Sequence, residues 1–347
     1  MNVQNYYSRQ IPLPEVGLAG QQLLQNGKCL VVGAGGLGSP VLMYLASAGI
    51  GVIGICDGDL LEESNLHRQP IYSYKDIGKS KTQLASLRIK ELNPSINPIV
   101  HPFRLTESNA IQLFQSYDLI LDCTDNFRAK FLINDAAYLT KKPVVRSSIY
   151  QFEGQLQTYI PERGDACLRC LWEDIPVDGC VGTCQQVGVL GPVPGYFGIL
   201  QAMEAIKYFI KMPLLASHTI LFNDLVYYTQ RTICYEKKFN CPLCGNDPKI
   251  SFLSDKELWE VNDFDPKINK EYQLVDIREV EEVAFEPYWE ENCLNKPLNS
   301  FNANELDPSI KYLFFCKRGA RSARLVSFLR EKGVTNVYSL MGGIDSL

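Results

Sequence analysis

Short apolar runs alternate with stretches of helical spacing through the first half of the chain. KCLVVGAG (28–35) and GVIGICD (51–57) are strand-like runs on either side of Ser39 to Ala48, which the pattern predicts as a helix. Lys81 to Glu91 has helical spacing and stops before Asn93-Pro94. Asp118 to Asp122 is another short buried strand, Asn126 to Tyr138 is the helix that follows it, and Pro143 to Arg146 begins a further strand. Such alternation predicts an α/β fold of Rossmann-like type, a mostly parallel sheet covered by helices. Ligands on such sheets bind at the carboxyl ends of the strands, where Gly33, Asp57 and Asp125 are expected to gather.

Between Pro161 and Pro194 the pattern breaks. This stretch is rich in cysteine, glycine and proline and predicts a mobile loop near Asp174 to Cys184. Leu200 to Lys211 resumes a helix, and CPLCGNDP (241–248) reads as a metal knuckle running into a linker. From about Ser251 a separate small α/β unit begins. LVDIRE (274–279) is strand-like, residues 312–333 read strand, loop, helix, and VTNVYSL (334–340) is a last strand. The expected division is residues 1–247, a linker at 248–255, and a small domain at 256–347.

Composition narrows the function class. A chain of 347 residues suits two or three domains, and a net charge of −5 argues against a nucleic-acid-binding body. The uncharged stretch 29–56 is long enough to span a bilayer, but its seven glycines and Pro40 fit strand, turn, helix and strand better than a membrane helix. The first residues carry no secretory pattern, so twelve cysteines point to a reducing, cytoplasmic setting with metal or catalytic thiols. Cys29, Cys56 and Cys123 lie in apolar runs and read as small buried hydrophobes.

Three constellations carry chemistry. GAGGLG (33–38) is a GxGxxG turn whose backbone N–H groups can approach phosphate, and Asp57 ends the next strand, where a carboxylate grips a ribose. The turn alone equally suits a dehydrogenase or flavoprotein, so an NAD- or flavin-linked oxidoreductase is the alternative enzyme. SNLHRQ (64–69) and GKSK (78–81) add Arg68 and Lys81. Either cation alone reads as a solvated surface charge; together beside the turn they indicate a neutralised triphosphate rather than hydride transfer. Asp125 in CTDN suits Mg²⁺. CLRC (167–170) and CPLCG (241–245) provide two thiolate pairs for a four-sulfur Zn²⁺ site at Cys167, Cys170, Cys241 and Cys244. CKRGARS (316–322) places Cys316 after a strand and before a helix, in an arginine-rich loop that favours a thiolate.

YSRQ, GAGGLGSP, DGDxxxxSNLHRQ, GKSK, CTDN, EGQ, CLRC, CQQVGVLGPVPG, LQAMEAIK and CPLCG occur in one order over about residues 5–247. In this the chain resembles the MoeB/ThiF/Uba4 family, ubiquitin-activating-enzyme-like adenylyltransferases that act on sulfur-carrier proteins. The resemblance implies ATP and Mg²⁺ contacts at Gly36, Asp57, Ser64, Asn65, Arg68, Lys81, Asp125 and Asn126. It implies a homodimer in which Arg9 reaches the nucleotide of the second protomer. The zinc would then clamp the fold, Cys184 would receive the activated carrier as a thioester or acyl-disulfide, and Cys180 stands near enough in sequence to serve beside it. His67 reads as a variable packing position.

CKRGARS, LVDIRE and NVYSLMGGID resemble a rhodanese. That resemblance makes Cys316 the persulfide bearer and Gly319, Arg321 and Ser322 its anion cradle. Leu347 stands where rhodaneses usually carry an aromatic residue, which predicts reduced stability or partial activity. The two resemblances together imply adenylation of a small ubiquitin-fold carrier ending in Gly-Gly and sulfur transfer to its carboxyl. The sulfur would come from a cysteine desulfurase or another donor, in a molybdopterin, thiamin or tRNA-thiolation type of pathway. A non-catalytic scaffold docking ubiquitin-fold proteins is the reading from another class, and carrier conjugation is a third outcome.

Overall fold

In the computed structural model the described residues are 3–172, 188–253, 260–261, 264, 270–288 and 293–346. They fall into two compact units that divide near residue 253. Cys180, Cys184 and the end of the expected linker lie outside the described residues.

In the larger unit the elements are α1 (Val3–Tyr6), α2 (Gly17–Asn26), β1 (Lys28–Val32), α3 (Gly38–Ala48), β2 (Val52–Cys56), α4 (Lys81–Leu92), β3 (Asn97–His101), α5 (Glu107–Gln115), β4 (Leu119–Asp122), α6 (Phe127–Thr140), β5 (Val144–Tyr150), β6 (Glu153–Tyr159), α7 (Leu168–Leu171), α8 (Pro192–Phe209), β7 (Thr219–Asp224) and β8 (Thr229–Cys234). The eight strands order as β3-β2-β1-β4-β5-β6-β7-β8. The first five in that order are parallel, and β6, β7 and β8 add on antiparallel. The order reverses between β1 and β4, which opens a crevice at the carboxyl end of those strands. β1 from Cys29 onward and all of β4 are buried, as strands covered on both faces are, which is why Cys29–Val32 and Leu119–Leu121 are continuous apolar runs. Cys29, Cys56 and Cys123 are buried among these strands, as small hydrophobes should be.

Local chemistry explains the boundaries. Asn126 caps α6, its Oδ1 accepting the Ala129 N–H at 2.8 Å. Thr106 and Asn109 form a capping box on α5. The helix expected from Leu200 starts at Pro192 instead. Proline fits the first helical turn, where its missing N–H has no partner to lose, so the end of the proline-rich stretch, from Pro192, is helical. Among the described residues no helix is long and apolar enough to cross a membrane.

The smaller unit holds β9 (Glu260–Val261), β10 (Tyr272–Asp276), α9 (Val280–Phe285), β11 (Cys293–Asn295), β12 (Lys311–Phe315), α10 (Ala320–Glu331) and β13 (Val337–Leu340). Its sheet is parallel, ordered β11-β10-β12-β13-β9. Arg278 is buried and donates to the Asp276 carboxylate through Nε at 3.0 Å and Nη2 at 2.7 Å, fixing the end of β10.

Candidate functional site

The glycine turn sits between the ends of β1 and β4, and two of its glycines are required by space. Gly33 has φ +93°, and a Cβ there would lie 2.8 Å from the Cys123 carbonyl oxygen. A Cβ on Gly38 would lie 2.1 Å from the Gly33 carbonyl oxygen. At Gly36 a side chain would press on Pro194 at 3.1 Å. Asp57 holds the turn from the neighbouring strand: its carboxylate accepts the Ala34 N–H and the Asp59 N–H, each at 2.8 Å. Burial pushes the Asp57 carboxyl up, against those two hydrogen bonds and the nearby Lys81. Tyr72 donates its hydroxyl to the Ala34 carbonyl at 2.8 Å.

The cations arrive from the segment after β2. A short turn, Glu63–Asn65, buries Asn65 and leaves Ser64 exposed, and Asn65 Oδ1 accepts the Glu62 N–H at 3.3 Å. Arg68 Nη1 donates to the Ser64 carbonyl at 2.8 Å and lies 2.9 Å from His67 Nε2. Lys81, at the start of α4, is buried, with Nζ 3.2 Å from Asp59 Oδ2. Arg104, largely exposed, approaches the other Asp59 oxygen at 3.3 Å. Burial alone would raise the Asp59 carboxyl, but Lys81 and then Arg104 outweigh it and hold it below its ordinary value.

Asp125 is exposed at the end of β4, with Asn126 Nδ2 3.5 Å from its Oδ1. Beneath it Asp122 is fully buried. Its Oδ1 accepts the Thr124 hydroxyl at 2.6 Å and the Thr124 N–H at 3.1 Å, with Lys130 Nζ at 3.5 Å. The glycine turn, Asp57, Arg68, Lys81 and Asp125 thus share one end of the sheet. Arg9 is exposed in the turns after α1. Asp59, Arg104, Asp122 and Lys130 were not singled out from sequence. The second acid of DGD and a lysine one helical turn after Asn126 are the signals that could have found the first and last of them.

The four cysteines of the two CxxC pairs come together. Their sulfurs all lie within 4.8 Å of one another, and all four residues are buried. Cys167 Sγ is 3.5 Å from Cys241 Sγ, Cys170 Sγ is 3.4 Å from Cys244 Sγ, and Cys167 and Cys170 are 3.9 Å apart. A tetrahedral four-thiolate zinc with bonds of about 2.3 Å sets its sulfurs about 3.8 Å apart, so the donor set fits that metal. Backbone N–H groups of Lys238 and Cys244 point at Cys170 Sγ and Cys241 Sγ, each at 3.5 Å. Cys170 and Cys241 are drawn below the ordinary thiol range, first by their hydrogen bonds with Cys167.

In the smaller unit Cys316 follows β12 and is buried. Gly319 takes φ +82° and turns the chain into α10, whose positive dipole end lies on the loop side. Ser322 Oγ is 3.9 Å from Cys316 Sγ, donates to the Gly319 carbonyl at 2.9 Å, and accepts the Ser339 hydroxyl at 2.9 Å. Each cation of the loop has a carboxylate. Arg321 is held by both oxygens of Glu282 at 2.7 Å, Lys317 by Glu286 at 2.9 Å, and Arg318 by Asp345 at 3.7 Å.

Residues 7–243 match the ThiF family. The chain is 41% identical over 256 residues to a sulfur carrier protein adenylyltransferase of Thermus thermophilus, covering 72% of this chain and 94% of that protein. It is 35% identical over 373 residues to the adenylyltransferase and sulfurtransferase UBA4 of Meyerozyma guilliermondii, covering 98% of this chain and 86% of that one. Among solved structures, E. coli MccB resembles it with a TM-score of 0.63 at 21% identity, over 71% of this chain and 76% of that chain.

Proposed function

The chain belongs to the ThiF family, and from that premise we propose that it adenylates the C-terminal glycine of a small ubiquitin-fold sulfur carrier and then converts that carboxyl to a thiocarboxylate. The observation that carries this reading is the convergence of the glycine turn, Asp57, Arg68, Lys81 and Asp125 on one sheet end. The carrier carboxylate attacks the α-phosphorus of ATP and pyrophosphate leaves. A carboxylate is already a nucleophile at neutral pH, so the site needs no general base. Negative charge gathers on phosphate oxygens in that step, and Arg68, Lys81 and Arg9 of the second protomer in a homodimer stabilise it. Asp57 takes the ribose, Gly36, Ser64 and Asn65 line the nucleotide, and Asp125 with Asn126 would hold Mg²⁺. That ion, when bound, neutralises phosphate charge.

The second step belongs to residues 256–347, joined to 1–247 by a linker at 248–255. A cysteine desulfurase or another donor loads Cys316 with a persulfide. The carrier acyl group passes from AMP to Cys184 as a thioester, and the terminal sulfur of the persulfide displaces Cys184, giving an acyl-disulfide on Cys316. The freed Cys184 thiolate attacks Cys316 Sγ, releasing the thiocarboxylate and leaving a Cys184–Cys316 disulfide for an external thiol to reduce. Cys167, Cys170, Cys241 and Cys244 would hold Zn²⁺, which would clamp the larger unit. Cys29, Cys56, Cys123, Cys234 and Cys316 are free thiols, which suits the cytoplasm, where such thiols stay reduced.

The test uses the full chain with candidate Gly-Gly carriers. Cys316→Ser should abolish thiocarboxylate formation, read by mass spectrometry of the carrier C-terminus, while carrier-dependent ATP–pyrophosphate exchange continues. Loss of exchange in that variant would refute the division of labour. Asp125→Ala should suppress exchange even at saturating carrier.

A further inference from the structure

Arg146 on β5 is 5% exposed, yet its Nε and Nη1 have no hydrogen-bond partner among the described residues. Its Nη2 donates to Asn134 Oδ1 at 3.2 Å, and its guanidinium lies over the Tyr159 ring, 5.3 Å from the centroid. A guanidinium keeps its charge at any ordinary pH, and burying it without a counter-charge is strongly unfavourable. Among the described residues no carboxylate forms an ion pair with it. Beside it lies a small cavity bordered by Lys130, Gln155 and Trp172, which offers no carboxylate.

Two neighbours of Arg146, Asn134 and Tyr159, lead to the four cysteines. Asn134 Oδ1 also accepts the N–H of Leu168, the residue after Cys167, at 2.8 Å. Tyr159 packs in the same core cluster as Cys167, Cys170, Cys241 and Cys244. Arg169, the arginine inside CLRC, is already matched by Asp135, with Nε–Oδ1 at 2.9 Å and Nη2–Oδ2 at 2.7 Å.

We infer that Arg146 is the counter-charge of a four-thiolate divalent-metal centre, oriented toward it by Asn134 and Tyr159. Four thiolates around a divalent cation keep a net negative charge that the metal does not cancel, and among the described residues Arg146 is the buried cation whose charge is otherwise unmatched. It touches no reacting atom; it is a positioning residue for the metal. This rests on the cysteine cluster holding a metal, and its tests involve neither ATP nor the carrier.

The experiment loads the full chain with cobalt(II) and with zinc and compares wild type, Arg146→Lys and Arg146→Gln. Cobalt absorption reports the four-sulfur geometry, and competition with a chelator gives the affinity. All three should show a four-thiolate spectrum, with Arg146→Gln holding metal about 10- to 100-fold more weakly, as loss of an outer-shell partner does. Arg146→Lys, which keeps the charge, should lose less. Wild-type affinity in Arg146→Gln, or equal affinities in the Lys and Gln variants, would overturn the inference. If Arg146→Gln does not fold, Asn134→Asp gives Arg146 a competing counter-charge without removing it, and should weaken metal binding; unchanged affinity there would overturn the inference equally. A wild-type chain that takes up no cobalt would instead sink the metal reading on which the inference rests.

Discussion

Gly35 and Gly38 lie in the same turn, and the structure assigns them opposite sensitivities. A Cβ on Gly38 would sit 2.1 Å from the Gly33 carbonyl oxygen, against an ordinary contact of 3.4 Å or more, so the backbone must move by more than an ångström. Gly33 cannot yield easily, because its own φ of +93° and the Cys123 carbonyl confine it. Overpacking of this kind costs ~1–3 kcal/mol. At ~2–4 °C per kcal/mol for a domain of this size, Gly38→Ala should melt roughly 2–12 °C below wild type without any ligand. A Cβ on Gly35 meets only Gln69 Nε2, at 3.6 Å, so Gly35→Ala should melt like wild type in the absence of ATP. Its deficit should surface with nucleotide, because the second glycine of such a turn lets the backbone approach phosphate. ATP–Mg²⁺ at a hundredfold excess over its dissociation constant stabilises by ~2.7 kcal/mol, a rise of roughly 5–11 °C. Gly35→Ala should lose most of that rise. Differential scanning fluorimetry with and without ATP–Mg²⁺ reads both effects. A Gly38→Ala protein with a wild-type melt, or a Gly35→Ala protein with a full ATP-dependent rise, would refute the reasoning.

Three further outcomes are expected. Lys81→Met should lower ATP–pyrophosphate exchange by about 10²–10³, the usual loss when one transition-state cation is removed; a fall under about threefold would remove Lys81 from catalysis. Asp276→Leu leaves Arg278 buried and unpaired, and should cost about 3–5 kcal/mol in the smaller unit, seen as early loss of that unit in a urea titration followed by hydrogen exchange. Hydrogen bonds from Arg321 hold the Glu282 carboxyl down at about 2. With the folded value below the unfolded one, the pair stabilises above the unfolded value, and that contribution disappears as pH falls toward about 2. Glu282 is partly exposed, so Glu282→Gln should cost at most ~1 kcal/mol at pH 7. Melting curves of the two proteins should converge on acidification, and a gap that persists or widens would contradict this.

The parallel half of the larger unit was legible because its strands are buried on both faces and announce themselves as continuous apolar runs. Val52–Cys56 and Leu119–Asp122 are of this kind, with burial on nearly every residue. β3 and β8 were not found, because Asn97–His101 and Thr229–Cys234 are half-exposed or exposed and carry no such run. The start of α8 was missed because prolines that begin a helix look in sequence like prolines that break one. Lys81 was legible through its motif, but its buried pairing with Asp59, and the sharing of Asp59 with Arg104, depends on β3 lying beside β2. Spacing suggested the pairing of CLRC with CPLCG. Nothing local to PVVRSS marks Arg146 as a buried and unpaired charge; only the packed sheet does.

The two cysteine pairs stand 74 residues apart, and the chain between them contributes α8 and the antiparallel strands β7 and β8. During synthesis, Cys167 and Cys170 leave the ribosome long before Cys241 and Cys244. A metal therefore cannot be captured by all four sulfurs until the sheet edge has been laid down. Loading would be among the last steps of assembly, a fastener that locks only a correctly threaded edge.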